Sequence, residues 1–421
     1  MTWQDFPNLL KTLEFGDSPA GGSLVIYHNN QKVVDTSFGQ ALADKAWNSH
    51  TLSVNFSIGK GIMATLIAIL VSKKQLNYHT PICQIWSNFA KYGKEHISLK
   101  HILTHTAGLF DISSIKSDID ELLDWQLMSD KVAHMVPSVP QGQQKHHYAS
   151  AYSALVSGWI LGNVVERVTG LSLQQALDEY LAKPLGIEGE LFYGLPKEKL
   201  GQVAKPVRYF YENPTHRKKP LLKPDTPEIL HRLSNYAVTP LWQEVLQDTP
   251  ITTANINKLY FDTTRMNLAN YKNALMPNSK DGLEYHRDDV LQAVIPAANG
   301  VSTANALAKV YAMHANDGVW QDVEYIDTKT LHEMREIRVD GFDAVMPADM
   351  CWRMGFHRLF SLQYTPLAYG HMGYNGSVAF ADPQRKLSFA FIHNFDTTML
   401  NDVRQFVLTE TAIAQIDNLL E

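Results

Sequence analysis

The chain has 421 residues and a formal net charge of −6, with 45% hydrophobic and 19% charged residues. That is globular composition, long enough for two to three domain equivalents. The charge argues against a nucleic-acid or anionic-membrane partner, and the nearest cationic run, "HRKKP" at His216–Pro220, reads as a solvated loop. The only two cysteines, Cys83 and Cys351, cannot build a disulfide scaffold or a zinc site by themselves and read as free structural thiols.

The N-terminus, "MTWQDFPNLLKTLEFGDS", carries acids and lacks a basic segment followed by a long apolar stretch, so it does not read as a signal peptide. The longest apolar run, "GIMATLIAILV", is too short to span a bilayer, and the expectation is a soluble, cytoplasmic protein with no membrane span. "SLVIYHNNQKVVDTSFGQA" gives two β-rich segments around a turn composition, an early hairpin. From Ser57 to about Ser72 the pattern is helical with almost no polar face, which predicts a buried central helix. Residues 98–185 read as mainly helical, including a helix from 151 stopped by Gly170. Residues 205–285 are polar and punctuated by proline, and read as an irregular insertion with short helical pieces, placed over a binding site.

After Pro296, "ANGVSTANALAKVYAMHANDG" predicts a turn and a capped helix. Strand-like runs follow in "MCWRMGFHRLF", "SVAFADP" and "KLSFAFIHNF", with a closing helix from about Thr398. Strands early, helices in the middle and strands late predict one sheet assembled from both chain ends. The expected organisation is a discontinuous α/β domain, 1–95 with 286–421, and a mainly helical domain, 96–285.

Three short stretches carry possible chemistry. "SIGK" sets Ser57 and Lys60 three positions apart, on one face of a helix. Desolvation in an apolar helix lowers a lysine pKa, which would let the amine take the serine proton. The N–H of Ser57, at the helix start, is a free donor suited to an oxyanion. "HHYAS" places Tyr148 just before the predicted helix at 151, where a tyrosine can act as acid or base. "GHMGYNGSVAFADP" has three glycines before a strand, with Gly373 followed by the N–H of Tyr374 as a second oxyanion donor. Each stretch also has an ordinary reading, as a solvated lysine beside a capping serine, a packing tyrosine and a Gly-rich turn. "HILTH" sets His101 and His105 at i and i+4, but it lacks the glutamate and third ligand of a zinc site and reads as structural. No metal is implied.

Taken in order, the three motifs resemble the serine β-lactamase and penicillin-binding-protein superfamily, especially its class C-like carboxylesterase branch. There the pattern is Ser-x-x-Lys, then Tyr-x-Asn or Tyr-x-Ser, then Lys/His-x-Gly; here it stands as "SIGK", "YAS" and "HMG", with supporting text in "ISLKHILTHTAGL" and "GSVAFADPQRKLSFAFIHN". The resemblance spans about 20 to 415 and implies a β-lactamase-like fold: an antiparallel sheet flanked by helices, with an inserted mainly helical part. It makes Ser57 the acylated nucleophile and Lys60 with Tyr148 the acid/base pair. It makes the N–H groups of Ser57 and Tyr374 the oxyanion hole, and Ser150, His371 and Gly373 substrate-binding positions. It implies no metal or organic cofactor.

Two departures bear on substrate. Ser150 stands where many relatives have an asparagine, and His371 stands where β-lactamases and D,D-peptidases have a lysine. A neutral histidine weakens attraction for a substrate carboxylate. The expectation is therefore a serine hydrolase of small-molecule carboxylic esters. A β-lactamase or D,D-peptidase acting on a β-lactam-like substrate is the first alternative, an acyltransferase in which another alcohol replaces water at deacylation the second, and a non-catalytic binding relative the alternative from another class.

Overall fold

In the computed structural model, which describes residues 2–15, 19–206, 209, 225–277 and 283–420, the first and last strands of the chain pair with each other. The six-stranded sheet contains β1 (Gly22–His28), β2 (Gln31–Phe38), β3 (His357–Arg358), β4 (Tyr369–Met372), β5 (Val378–Asp382) and β6 (Leu387–His393), in the order β3-β4-β5-β6-β1-β2. All neighbours are antiparallel, and β1 joins β6 in a register running from Gly22↔His393 to His28↔Leu387. Asn29 and Asn30 form the predicted β1–β2 turn with φ of 50° and 60°, a left-handed conformation that asparagine tolerates and tight hairpins require.

Helix α1 (Ile58–Ser72) is buried from Ile58 through Val71, as its apolar composition predicts. It packs against β4, α2 (Val156–Thr169) and the helix Thr328–Arg335. Its single mid-helix hydroxyl, Thr65, lies against Gly61 O at 2.7 Å and His314 Nε2 at 2.8 Å, so no polar group is stranded there. Helix α3 (Ala304–Ala315) covers β1, β5 and β6, and α4 (Arg404–Leu420) closes the chain. One apolar cluster runs continuously from Val25 through Ile62, Trp159 and Leu307 to Ile392. Fully burying each Leu or Ile of α1 contributes about 1.5–3 kcal/mol, so a few such side chains offset the several kcal/mol needed to desolvate a cation on the same helix.

Several sequence-based boundaries move. The helix expected from 151 begins at Val156, leaving 151–155 non-helical. The closing helix begins at Arg404, not near Thr398. In "MCWRMGFHRLF" only His357–Arg358 joins the sheet. Between 225 and 277 the expected irregular insertion contains four short α-helices: Pro227–Leu233, Thr239–Leu246, Thr253–Tyr260 and Leu268–Leu275. Prolines that read as breakers occupy first-turn positions, where the missing N–H costs nothing, and Thr226, Thr252 and Asn267 cap three of the helices. The "HRKKP" run lies outside the described residues. Cys83 and Cys351 are free thiols, and no helix among the described residues is long and apolar enough to cross a membrane.

Candidate active site

Ser57 is placed by a strand that stops abruptly. A small sheet of Ser53–Val54, Val301–Ser302 and Leu191–Phe192 leads the chain to Asn55, whose N–H donates to Gly300 O at 2.8 Å and whose carbonyl accepts the N–H of Ile58 at 3.1 Å. Between them Phe56 adopts φ of 50°, rare for a bulky residue and costing on the order of 1–3 kcal/mol. Phe56 is held there by ring contacts with Tyr285 at 5.4 Å and Tyr374 at 6.1 Å. The result is a sharp turn that presents Ser57 at the N-terminus of α1 and at the wall of a cavity of about 250 Å³.

Lys60 follows one turn into α1, and its Nζ lies 3.1 Å from Ser57 Oγ. The same nitrogen donates to Ala154 O at 2.7 Å and Ala297 O at 2.6 Å. Gly158 makes the second contact possible: a Cβ there would stand 2.5 Å from the amide nitrogen of Ala297, so only glycine lets α2 approach this closely. Among the described residues no carboxylate pairs with Lys60, which is 6% exposed, and burial pulls its pKa well below the usual lysine range. The three neighbours suit a neutral amine: two N–H bonds go to the carbonyls and the lone pair is left for the serine hydroxyl.

The tyrosine that touches Ser57 is Tyr152, not Tyr148. Tyr152 donates its phenol hydrogen to Ser57 Oγ at 2.7 Å, and Lys60 Nζ lies 4.9 Å from its ring centre. Burial pushes the Tyr152 phenol above its ordinary range, opposed by the bond to Ser57 and reinforced by the charge of Asp343, so the phenol stays protonated. Tyr148 is buried in the cluster containing Phe110, Phe342 and Tyr260 and does not line the cavity. Ser150 is also displaced from its expected role, because its hydroxyl donates to Asp343 Oδ2 at 2.6 Å in the buried interior.

The contact of Tyr152 with Ser57, in place of Tyr148, has a physical origin. The segment 151–155 approaches α2 without being helical, so the tyrosine that meets Ser57 lies four residues beyond Tyr148. The stretch "YSA" that begins at Tyr152 ends in Ala154, which contributes a backbone carbonyl to Lys60, whereas "YAS" ends in the polar Ser150.

On the opposite wall His371, on β4, lines the cavity with its ring centre 6.1 Å from Tyr152 and 4.8 Å from His357. Its Nδ1 lies 3.0 Å from Met372 O, which fixes the proton on that nitrogen. Burial, with His357 and Lys60 adding, pushes its pKa well below 6.5, so the ring is neutral as expected. Gly373 does not line the cavity; its N–H donates to Ser377 O at 2.7 Å, and a Cβ on it would stand 3.1 Å from Asn55 O. The Gly373 position therefore seats the β4–β5 turn against the Ser57 turn. Tyr374, next in the chain, lines the cavity with Ser57, and neither of their N–H groups donates to an acceptor among the described residues. His101 and His105 take hydrogen-bonding roles: His101 Nδ1 accepts the N–H of Ser98 and His105 Nδ1 that of Ser153.

The rest of the cavity is largely apolar. Met276, Met346, Met350, Met372 and Met399 line it with Leu275 and Phe395; the carboxylates Glu284 and Asp396 also line it, and among the described residues no lysine or arginine does.

The sequence pattern of the Beta-lactamase family matches residues 14–411. The chain is 27% identical over 379 residues to the esterase/beta-lactamase LipL of Mycobacterium tuberculosis, covering 89% of this chain and 77% of that protein. Over 185 residues, 39% of this chain and 43% of its partner, it is 28% identical to esterase EstB of Burkholderia gladioli. Among solved structures, a penicillin-binding-protein homologue from Caulobacter crescentus superposes with a TM-score of 0.72 at 26% identity, over 98% of this chain and 97% of that one. A family VIII carboxylesterase superposes equally well at 24% identity and the same coverages, a likeness of fold.

Proposed function

Starting from the premise that the chain belongs to the Beta-lactamase family and is a serine hydrolase of it, we propose that it cleaves small carboxylic esters through an acyl-enzyme on Ser57. The observation that carries this reading is the shared contact at Ser57 Oγ: Lys60 Nζ at 3.1 Å and Tyr152 OH at 2.7 Å, facing a cavity without a lysine or arginine among the described residues. The names of its relatives, which include esterases, point the same way.

In this mechanism neutral Lys60 accepts the Ser57 proton as the oxygen attacks the ester carbonyl carbon. The N–H groups of Ser57 and Tyr374 receive the oxyanion, and removing one such donor costs about 10²–10³-fold in rate in other serine hydrolases. As the tetrahedral intermediate collapses, the carbon–alkoxide bond breaks and the departing oxygen takes the Tyr152 proton. The phenolate is then reprotonated by the Lys60 ammonium, which restores both groups. Water enters, gives its proton to the same pair, and releases the acid as Ser57 recovers a proton. The bond from Tyr152 to Ser57 supplies the short path these transfers need. In this reading the cleft lies between the discontinuous 1–95/286–421 part, which carries Ser57 and His371, and the 96–285 part, which carries Tyr152 and Met276.

Neutral, buried His371 disfavours substrates that need a fixed cation for a carboxylate, which is why the ester is preferred to a β-lactam. The test compares kcat/KM for a short-chain p-nitrophenyl ester and for nitrocefin, with Ser57→Ala as control. Ester turnover that exceeds nitrocefin turnover and vanishes in Ser57→Ala is expected. Better nitrocefin turnover would reverse the substrate assignment, and undiminished ester turnover in Ser57→Ala would remove the mechanism.

A further inference from the structure

Asp343 is 1% exposed, and among the described residues no lysine, arginine or histidine forms an ion pair with it. A buried carboxylate without a counter-charge is costly unless neutral donors surround it. Here they do. Oδ1 accepts the N–H groups of Tyr152 at 3.2 Å, Val345 at 2.8 Å and Met346 at 2.9 Å. Oδ2 accepts from Ser150 Oγ at 2.6 Å and from Trp352 Nε1 at 3.3 Å, an indole N–H shared with Ser150 Oγ at 3.1 Å.

These bonds tie three structures together. The 149–152 segment is locked to the 342–344 backbone, with the N–H of Ala149 donating to Phe342 O and that of Ala344 to Ser150 O. The indole of Trp352, held jointly by Asp343 and the Ser150 hydroxyl bonded to it, lies parallel to the Tyr152 ring, with centres 5.6 Å apart and planes 11° apart. The turn that caps Asp343 also carries Met346 and Met350 into the cavity wall.

From this clamp we infer that Asp343 is a positioning residue for the proton donor. It fixes the backbone of Tyr152 directly and its ring through Trp352, and so holds the phenol on Ser57 Oγ. The inference rests on the proposed role of Tyr152 as the donor to the leaving oxygen. Its charge acts in the same direction, because a nearby anion favours the protonated phenol.

A purely structural residue and a residue that positions an acid differ in one readout. An acid matters in proportion to the basicity of the leaving group: p-nitrophenolate departs unaided, whereas an aliphatic alkoxide needs the proton. The experiment measures kcat/KM for a p-nitrophenyl ester and an ethyl ester of the same acid, in wild type, Asp343→Asn and Tyr152→Phe. Asp343→Asn is expected to lose at least about tenfold more on the ethyl ester than on the p-nitrophenyl ester, following Tyr152→Phe at smaller size. Equal losses on both esters, or no loss on either, would overturn the inference. If Tyr152→Phe itself shows no difference between the esters, its role as donor fails and the inference falls with it. A selective loss in Tyr152→Phe without one in Asp343→Asn overturns the positioning role alone. Should Asp343→Asn not fold, Ser150→Ala, which removes one of the five donors and the nearer acceptor of Trp352, carries the same comparison: a selective loss supports the inference, and a parallel loss or none overturns it.

Discussion

The two sides of Ser57 are held by different means. Lys60 sits on a regular, wholly buried helix one turn from the serine, and its partners are two backbone carbonyls. Tyr152 sits on non-helical chain, kept in place by side chains from distant loops: Asp343, Trp352 and His105, whose Nδ1 takes the N–H of Ser153. The first arrangement is set by helix geometry and desolvation, and it tunes a charge. The second is set by a polar clamp, and it tunes a distance. Perturbing the lysine side should therefore move pH dependence, and perturbing the tyrosine side should move proton-transfer efficiency at fixed pH.

The largest effect should come from the groups themselves. Lys60→Ala and Tyr152→Phe are each expected to lower kcat for ester hydrolysis by about a hundredfold or more, as lost proton transfer does. Steady-state kinetics of the purified variants check this, and near-wild-type rates in both would dissolve the pair.

A second contrast is in pH. In the proposed mechanism the lysine must be neutral to act, and burial lowers its pKa, so kcat/KM should fall about tenfold per unit as pH drops below the folded-state value, which lies well under 10.5. His371→Lys places another cation near Lys60 and should move that acid limb to lower pH, because like charge disfavours protonation. A limb that stays put would show that another group governs it. The sign for stability follows: between the folded Lys60 pKa and 10.5 the unfolded chain binds more protons, so stability rises with pH in that window. Urea midpoints of Lys60→Met should lack this slope while wild type retains it.

The smallest effect should be at Tyr148. Packed in the apolar cluster away from the cavity, it is expected to tolerate Phe with kcat/KM within about twofold of wild type. A hundredfold loss there, with Tyr152→Phe unaffected, would restore the tyrosine favoured by the sequence motif.

The same contrast explains what could be read from the sequence. The Ser57–Lys60 relation is local: three positions on a helix whose apolar run announces its burial, so both residues and the fate of the lysine charge were legible. The antiparallel sheet from both chain ends was legible too, because strand-like segments lie at the two ends with helices between them. Tyr152 was not, since its place depends on Asp343, 191 residues away in sequence, and on a helix that starts at Val156 instead of 151. Ser150 matched a motif by residue type but spends its hydroxyl on the same carboxylate. In 225–277, proline and threonine marked helix starts, which composition alone does not separate from loop.

The most direct measurement is the intact mass of the protein during turnover of a slowly deacylating ester. The mechanism requires a species heavier by the acyl group, mapped to Ser57, that is absent in Ser57→Ala and accumulates more slowly in Tyr152→Phe than in Tyr148→Phe. Efficient hydrolysis with no adduct under rapid acid quench, or an adduct on another residue, would contradict the acyl-enzyme on Ser57.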